Sequence, residues 1–198
     1  MTETVIDLIR HGEPVGGRAY RGHGVDDPLS EKGWQQMWSA VGETYSWQKL
    51  FTSPMSRCRE FAEALARRTG AIVIVDDRLK EIGFGAWEGR TPEQIQATDP
   101  DEYAGFYRDP VNNRPEGAEP LQGFRSRVVD AYENILADSD AGRILVVTHA
   151  GVIRALMTHV LQAPEAAMYR IKVTNASITR IRYRDNIPTI ESHGNTSV

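Results

Sequence analysis

Cysteine occurs once in the 198 residues, at Cys58, so no disulfide can form within the chain and no Cys-x-x-Cys metal knuckle exists. Positive charge is not in excess either: 23 Lys and Arg stand against 27 Asp and Glu, a net charge of -4. That balance argues against a nucleic-acid binder, which needs a basic surface to displace counterions from phosphates. Long apolar runs are missing. The N-terminal stretch at 5–9 is far too short for a signal-peptide core or a membrane span, so a cytoplasmic chain with no membrane partner is expected. There is no G-x-S-x-G elbow, which weighs against a common serine hydrolase. A metal centre built from His11, His149 and Cys58 would match no known ligand spacing, so no metal and no other cofactor is expected.

What is present is an alternation. Val5 to Ile9 reads as a buried strand, 49–53 as a second, 71–75 as a third and 144–148 as a fourth. Between them lie helical periods. Ser30 caps the first, with Trp34, Met37, Trp38 and Val41 on one face. Pro54 opens the second at its first position, Cys58, Phe61, Ala62 and Leu65 form its stripe, and Gly70 closes it. Leu121, Phe124, Val128, Tyr132 and Ile135 mark a third, and Val152 to Leu161 a fourth. The tail at 168–192 reads as two or three alternating strands, which leaves room for pairing with a second chain as a homodimer. The pattern predicts an α/β fold: a three-layer sandwich with a mainly parallel central sheet and helices on both faces. One domain over 1–198 is expected, with an insertion of short helices and loops at about 92–119.

An α/β sheet binds ligands beyond the carboxyl ends of its strands. Arg10 and His11 follow the first strand, Arg57 the second and His149 the fourth. If those strands are neighbours, four cationic or potentially cationic groups meet on one rim, near two helix N-termini at about Pro54 and Ala150. Such a cluster suits a phosphoryl dianion. Arginine grips phosphate with a planar fork, and a neutral imidazole attacks phosphorus in line. A proton donor for the leaving oxygen is also needed, and Glu13, Glu81, Glu88 and Glu119 all sit in glycine- or proline-bearing loops. Composition does not choose among them.

Five segments taken together carry a resemblance: "LIRHGE" at 8–13, "TSPMSRCREFAEAL" at 52–65, "LKEIGFGAWEG" at 79–89, "RPEGAEPLQGFRSRV" at 114–128 and "VVTHAGVIRALM" at 146–157. In order and spacing they resemble the histidine phosphatase superfamily, the phosphoglycerate-mutase-like group, over nearly the whole chain. The resemblance implies that His11 is the phosphorylated histidine, that Arg10, Arg57 and His149 complete the phosphate pocket, and that Glu81 is the proton donor. It implies no metal for the step. The run from "RHGEP" through "GRAYRG" to "DDPLSEKG" resembles the alpha-ribazole phosphatase branch, which acts in cobalamin assembly. Mutases of the family carry Ser or Thr after "RHGE" and a Trp-Asn pair beyond. Here Pro14, Gly16 and Gly17 stand instead, and Arg21 is the expected replacement for the missing phosphate contact, with Gly22 and Ala150 also binding substrate. The implied activity is hydrolysis of a small-molecule phosphate ester. Phosphoglycerate mutase chemistry is the alternative within the fold. A non-catalytic phospho-ligand binding module is the alternative outside it, against which the intact set of five residues argues.

Overall fold

The computed structural model describes residues 3–43, 46–138, 142–185 and 187–196. Its first strand, β1 (Glu3–Arg10), lies in the middle of a six-stranded sheet. On one side are β4 (Arg143–Thr148), β2 (Lys49–Thr52) and β3 (Ile72–Val75), all parallel to it. On the other are β5 (Ile178–Arg184), antiparallel to it, and β6 (Ile187–Asn195), antiparallel to β5. The sheet order is β3-β2-β4-β1-β5-β6.

Successive side chains of a strand point to opposite faces, so each strand feeds two cores. Ile6, Leu8, Phe51, Ile144 and Val146 pack under α5 (Leu121–Ala137) and α6 (Ala150–Val160). Ile9, Leu50, Leu145 and Val147 pack under α1 (Glu31–Val41) and α2 (Ser56–Thr69). This is the expected three-layer arrangement with helices on both faces. The stretch read as an insertion holds two short helices, α3 (Pro92–Thr98) and α4 (Pro100–Arg108), which bury Ile95 and Phe106 against the α5–α6 layer. No helix among the described residues is long and apolar enough to cross a membrane.

Two local expectations need correction, the start of the second helix and the apolar reading of the first strand. The second helix opens at Ser56 rather than Pro54. The Ser53 hydroxyl accepts the Met55 N–H, which holds Met55 extended, and Asp26 from a distant loop accepts the Ser56 N–H at 2.8 Å. The tail forms two strands, within the expected two or three, and Glu165–Arg170 ahead of them winds into a 3-10 helix that buries Met168. Asp7, inside a strand read as apolar, is fully buried. Its carboxylate accepts from Arg180 at 2.7 Å, Arg143 at 2.9 Å and the Trp47 indole at 2.8 Å.

The register sets the functional rim. Arg10 pairs with Thr148 and Thr52 with Val147, so β1, β2 and β4 end level with one another. The residues that follow all emerge at one edge.

Candidate active site

His11 leaves the end of β1 into a sharp loop. A β-carbon at Gly12 would sit 2.2 Å from the Gly33 carbonyl oxygen, so only glycine lets this loop press against the first turn of α1. The Gly12 carbonyl turns back onto the His11 ring, 2.7 Å from Nδ1. A carbonyl only accepts, so Nδ1 carries the proton and Nε2 keeps its lone pair. Burial pushes the His11 pKa well below its ordinary value, and the Arg10 and Arg57 charges push the same way. The imidazole is therefore neutral with a fixed tautomer, the state an attacking nitrogen requires.

Arg57, in the first turn of α2, is 1% exposed and faces inward. It donates to the carbonyls of Gly22 at 2.8 Å and Val25 at 3.0 Å. Arg10 donates to the Val173 carbonyl at 2.7 Å. In both arginines Nε is buried without a protein partner. Burial lowers the Arg10 pKa to about 10, and Arg154 and Arg57 add to the effect against the opposing pull of Glu81. A buried guanidinium at Arg57 and a partly buried one at Arg10, each with its Nε–H buried and unused, form a seat for an anion beside a neutral imidazole, since a buried donor left unpaired is costly.

His149, at the end of β4, stands behind His11. The ring centroids are 5.2 Å apart and edge-on. Its Nε2 lies 2.7 Å from the Ser53 hydroxyl, and Cys58 Sγ packs beside it. Burial, then Arg57, hold it neutral as well, its pKa well below the ordinary value. Burial pushes the Cys58 thiol up, so this sulfur is a packing atom. Among the described residues no group of three or more His, Cys, Asp or Glu side chains is placed to hold a metal ion.

Glu81 lies in an irregular segment and reaches over the start of α6. Its Oε1 accepts the N–H of Gly151 at 3.1 Å and of Ile82 at 3.0 Å. A cavity of about 490 Å³ opens at this point, and Arg10, His11, Arg57, Glu81, Gly22 and Ala150 all line it. So seven of the eight residues expected at the site share one space, Arg21 being the seventh. His149 lies outside the lining and touches the site through His11. Arg21 differs from expectation in what it holds. It donates to Asp27 at 2.8 Å and to the carbonyls of Gly17 at 2.8 Å and Val15 at 2.7 Å, so most of its donors brace the glycine-rich loop. His23 reaches the Glu81 carbonyl rather than the cavity.

Sequence reasoning missed the far wall. Tyr20 and Tyr107 meet hydroxyl to hydroxyl at 2.6 Å, joining the glycine-rich loop to α4 at the cavity. Phe84, Tyr169, Arg154 and Lys172 complete that side. Tyr20, Phe84 and Arg154 lie within segments already singled out, but nothing local marks them as cavity wall, and only the tertiary fold gathers them with Tyr107, Tyr169 and Lys172.

Comparison with known proteins agrees with the geometry. The family model described as histidine phosphatase superfamily (branch 1) matches residues 6–196. The probable phosphoglycerate mutase GpmB of Klebsiella pneumoniae is 33% identical over 189 residues, covering 91% of this chain and 86% of that protein. The solved structure of Bacillus stearothermophilus YhfR superposes with a TM-score of 0.87 at 28% identity, covering 97% of each chain. The alpha-ribazole phosphatase of Shigella flexneri superposes with a TM-score of 0.84 at 23% identity over 98% of each chain, a likeness of fold alone. The chain belongs to branch 1 of the histidine phosphatase superfamily and is an enzyme of the phosphatase type.

Proposed function

We propose that the protein hydrolyses a small phosphate monoester through a phosphohistidine at His11. The observation that carries this reading is the Gly12 carbonyl on His11 Nδ1, which leaves Nε2 free in a cavity walled by Arg10 and Arg57. In the first step Nε2 forms a bond to phosphorus as the ester P–O bond breaks. Glu81, in its acid form, gives its proton to the departing oxygen. Arg10 and Arg57 hold the oxygens of the transferring group, where charge spreads in the transition state. In the second step a water oxygen bonds to phosphorus, the P–N bond breaks, and the Glu81 carboxylate takes the water proton. Inorganic phosphate and the starting enzyme result.

Two features support a leaving group with a flat ring, of which alpha-ribazole phosphate is the example. One is the loop resemblance at 10–33. The other is the aromatic wall of Tyr20, Phe84, Tyr107 and Tyr169. The same reading puts the enzyme in the cytoplasm, and its lone, buried cysteine fits a reducing compartment. A mutase reading is favoured by one finding, the name of the GpmB relative.

The test is covalent labelling with a phosphate donor and assay of a metabolite-phosphate panel. The wild-type chain should take up acid-labile phosphate and release inorganic phosphate, and His11→Ala should do neither. Retained labelling in His11→Ala overturns the mechanism. Isomerisation of a phosphoglycerate without free phosphate replaces the hydrolase reading with the mutase.

A further inference from the structure

Glu81 is carried by a segment with no strand or helix to hold it. The 3-10 turn at Asp77–Leu79 ends just before it, and the next begins at Gly85. Backbone groups in such a stretch still need partners, so side chains from elsewhere must supply them. One residue serves three carbonyls in or just ahead of this stretch, while Arg114 Nη2 donates to that of Gly83 at 3.2 Å. Arg127, on α5, spends all five of its N–H donors here. Nη1 donates to the carbonyls of Arg78 at 2.6 Å and Lys80 at 2.9 Å. Nη2 donates to the Glu81 carbonyl at 3.2 Å and to Glu119 Oε2 at 2.8 Å. Nε donates to Glu119 Oε1 at 2.7 Å.

Glu119 closes the other side. Its Oε2 accepts the Gly83 N–H at 3.1 Å, while its own N–H donates to the Gly83 carbonyl at 3.1 Å. His23 Nδ1 donates to the Glu81 carbonyl at 3.0 Å. Both members of the Arg127–Glu119 pair are less than a fifth exposed, and neither lines the cavity. Burial pushes the Glu119 pKa up, but the Arg127 pair and the Gly83 N–H outweigh it and hold the carboxyl below its usual range. Glu119 is thus a fixed carboxylate with its oxygens in use.

We propose that Arg127 and Glu119 form a clamp that positions Glu81 as the proton donor, and that they are positioning residues for the reaction rather than fold-holding ones. The clamp grips the segment on both sides of Glu81, at residues 78, 80, 81 and 83, and leaves the side chain free to reach α6. A planar fork is needed to span three carbonyls and a carboxylate at once, which lysine with its single nitrogen cannot do. This inference rests on the proposed role of Glu81.

The test uses the leaving group. An alkyl phosphate needs a proton on its departing oxygen, whereas dinitrophenyl phosphate leaves readily as an anion. Single-turnover release of the alcohol or phenol reads this first step alone, before water enters. Glu81→Gln provides the reference and should slow the alkyl ester selectively. Arg127→Ala should reproduce that bias, lowering the alkyl-to-dinitrophenyl rate ratio by about 10²-fold, the usual reach of general acid catalysis. Glu119→Gln should lower it in the same sense by about 10-fold on that scale, and it decides the matter if Arg127→Ala does not fold. Equal loss on both esters in the clamp variants, or no loss, overturns the proposal, because a merely structural residue does not sort substrates by leaving group. A biased Glu81→Gln beside unbiased clamp variants removes the clamp alone. An unbiased Glu81→Gln removes the acid role of Glu81, and the clamp with it.

Discussion

The approach of Glu81 to α6 makes Gly151 a sensitive position. A β-carbon built at Gly151 lies 2.2 Å from Glu81 Oε1 and 3.2 Å from Cδ, where ordinary contact begins at 3.4 Å. The helix cannot yield, because α6 is packed into the core along Val152, Ile153 and Leu156. The carboxylate is the free end of a side chain and can. In Gly151→Ala it must retreat by about 1 Å, and a displacement of that size at a reacting group costs about 10²-fold in rate. It also lengthens the 3.1 Å bond to the Gly151 N–H. Stability should not follow activity down, since alanine favours a helix over glycine by roughly 0.5–1 kcal/mol. The variant should therefore melt at or slightly above the wild-type temperature while its kcat on an alkyl phosphate falls about 10²-fold. Calorimetry and steady-state kinetics on one preparation read both. Wild-type kcat would refute the placement of Glu81. A loss of several kcal/mol of stability would show that the backbone, not the carboxylate, gives way.

Other changes separate in the same manner. Gly12→Ala drives a β-carbon against backbone at Gly33, not against a flexible side chain, so it should cost about 1–3 kcal/mol in denaturant unfolding and also slow labelling of His11. His11 and His149 have pKa values depressed well below 6.5 by burial, so below that pH the unfolded chain binds more protons than the folded one. Stability is then fully present above that pH and is lost as pH falls through it, by up to about 1.4 kcal/mol per pH unit for each imidazole. A melting temperature that stays flat from about pH 7 to pH 5 would contradict this, and His149→Gln should reduce the slope. Asp7→Asn removes a carboxylate that accepts from two arginines and the Trp47 indole. Because Arg143 and Arg180 are themselves partly exposed, the cost is set at about 1–3 kcal/mol, read from the denaturant midpoint.

Much of the fold was legible because its signals are local. Apolar runs at 5–9 and 144–148, helical stripes such as Cys58-Phe61-Leu65, and Gly70 in the left-handed conformation after α2 are each set by neighbours in the chain. The readings that failed depend on distant partners. The start of α2 is fixed by Asp26, thirty residues earlier. Asp7 belongs in a buried strand only because arginines from β4 and β5 flank it.

The same distinction explains why four carboxylates in similar loops were indistinguishable by composition. Glu13 pairs with Lys32 at 2.9 Å. Glu88 accepts the N–H groups of Gly24 and Phe84, each at 2.9 Å, and pins the glycine-rich loop to the segment at 84. Glu119 is consumed by Arg127 and Gly83. Each of these three is committed to a partner that only the fold brings near. Glu81 lines the cavity with His11, and its carboxyl meets only backbone N–H groups, those of Ile82 beside it and of Gly151 at the start of α6. On the proposed mechanism, Glu81 stands out as proton donor because tertiary partners occupy the other three. Freeing a competitor tests that logic: Arg127→Ala releases Glu119 at the same moment that it loosens Glu81, yet Glu119 lies outside the cavity lining and should not take over the proton.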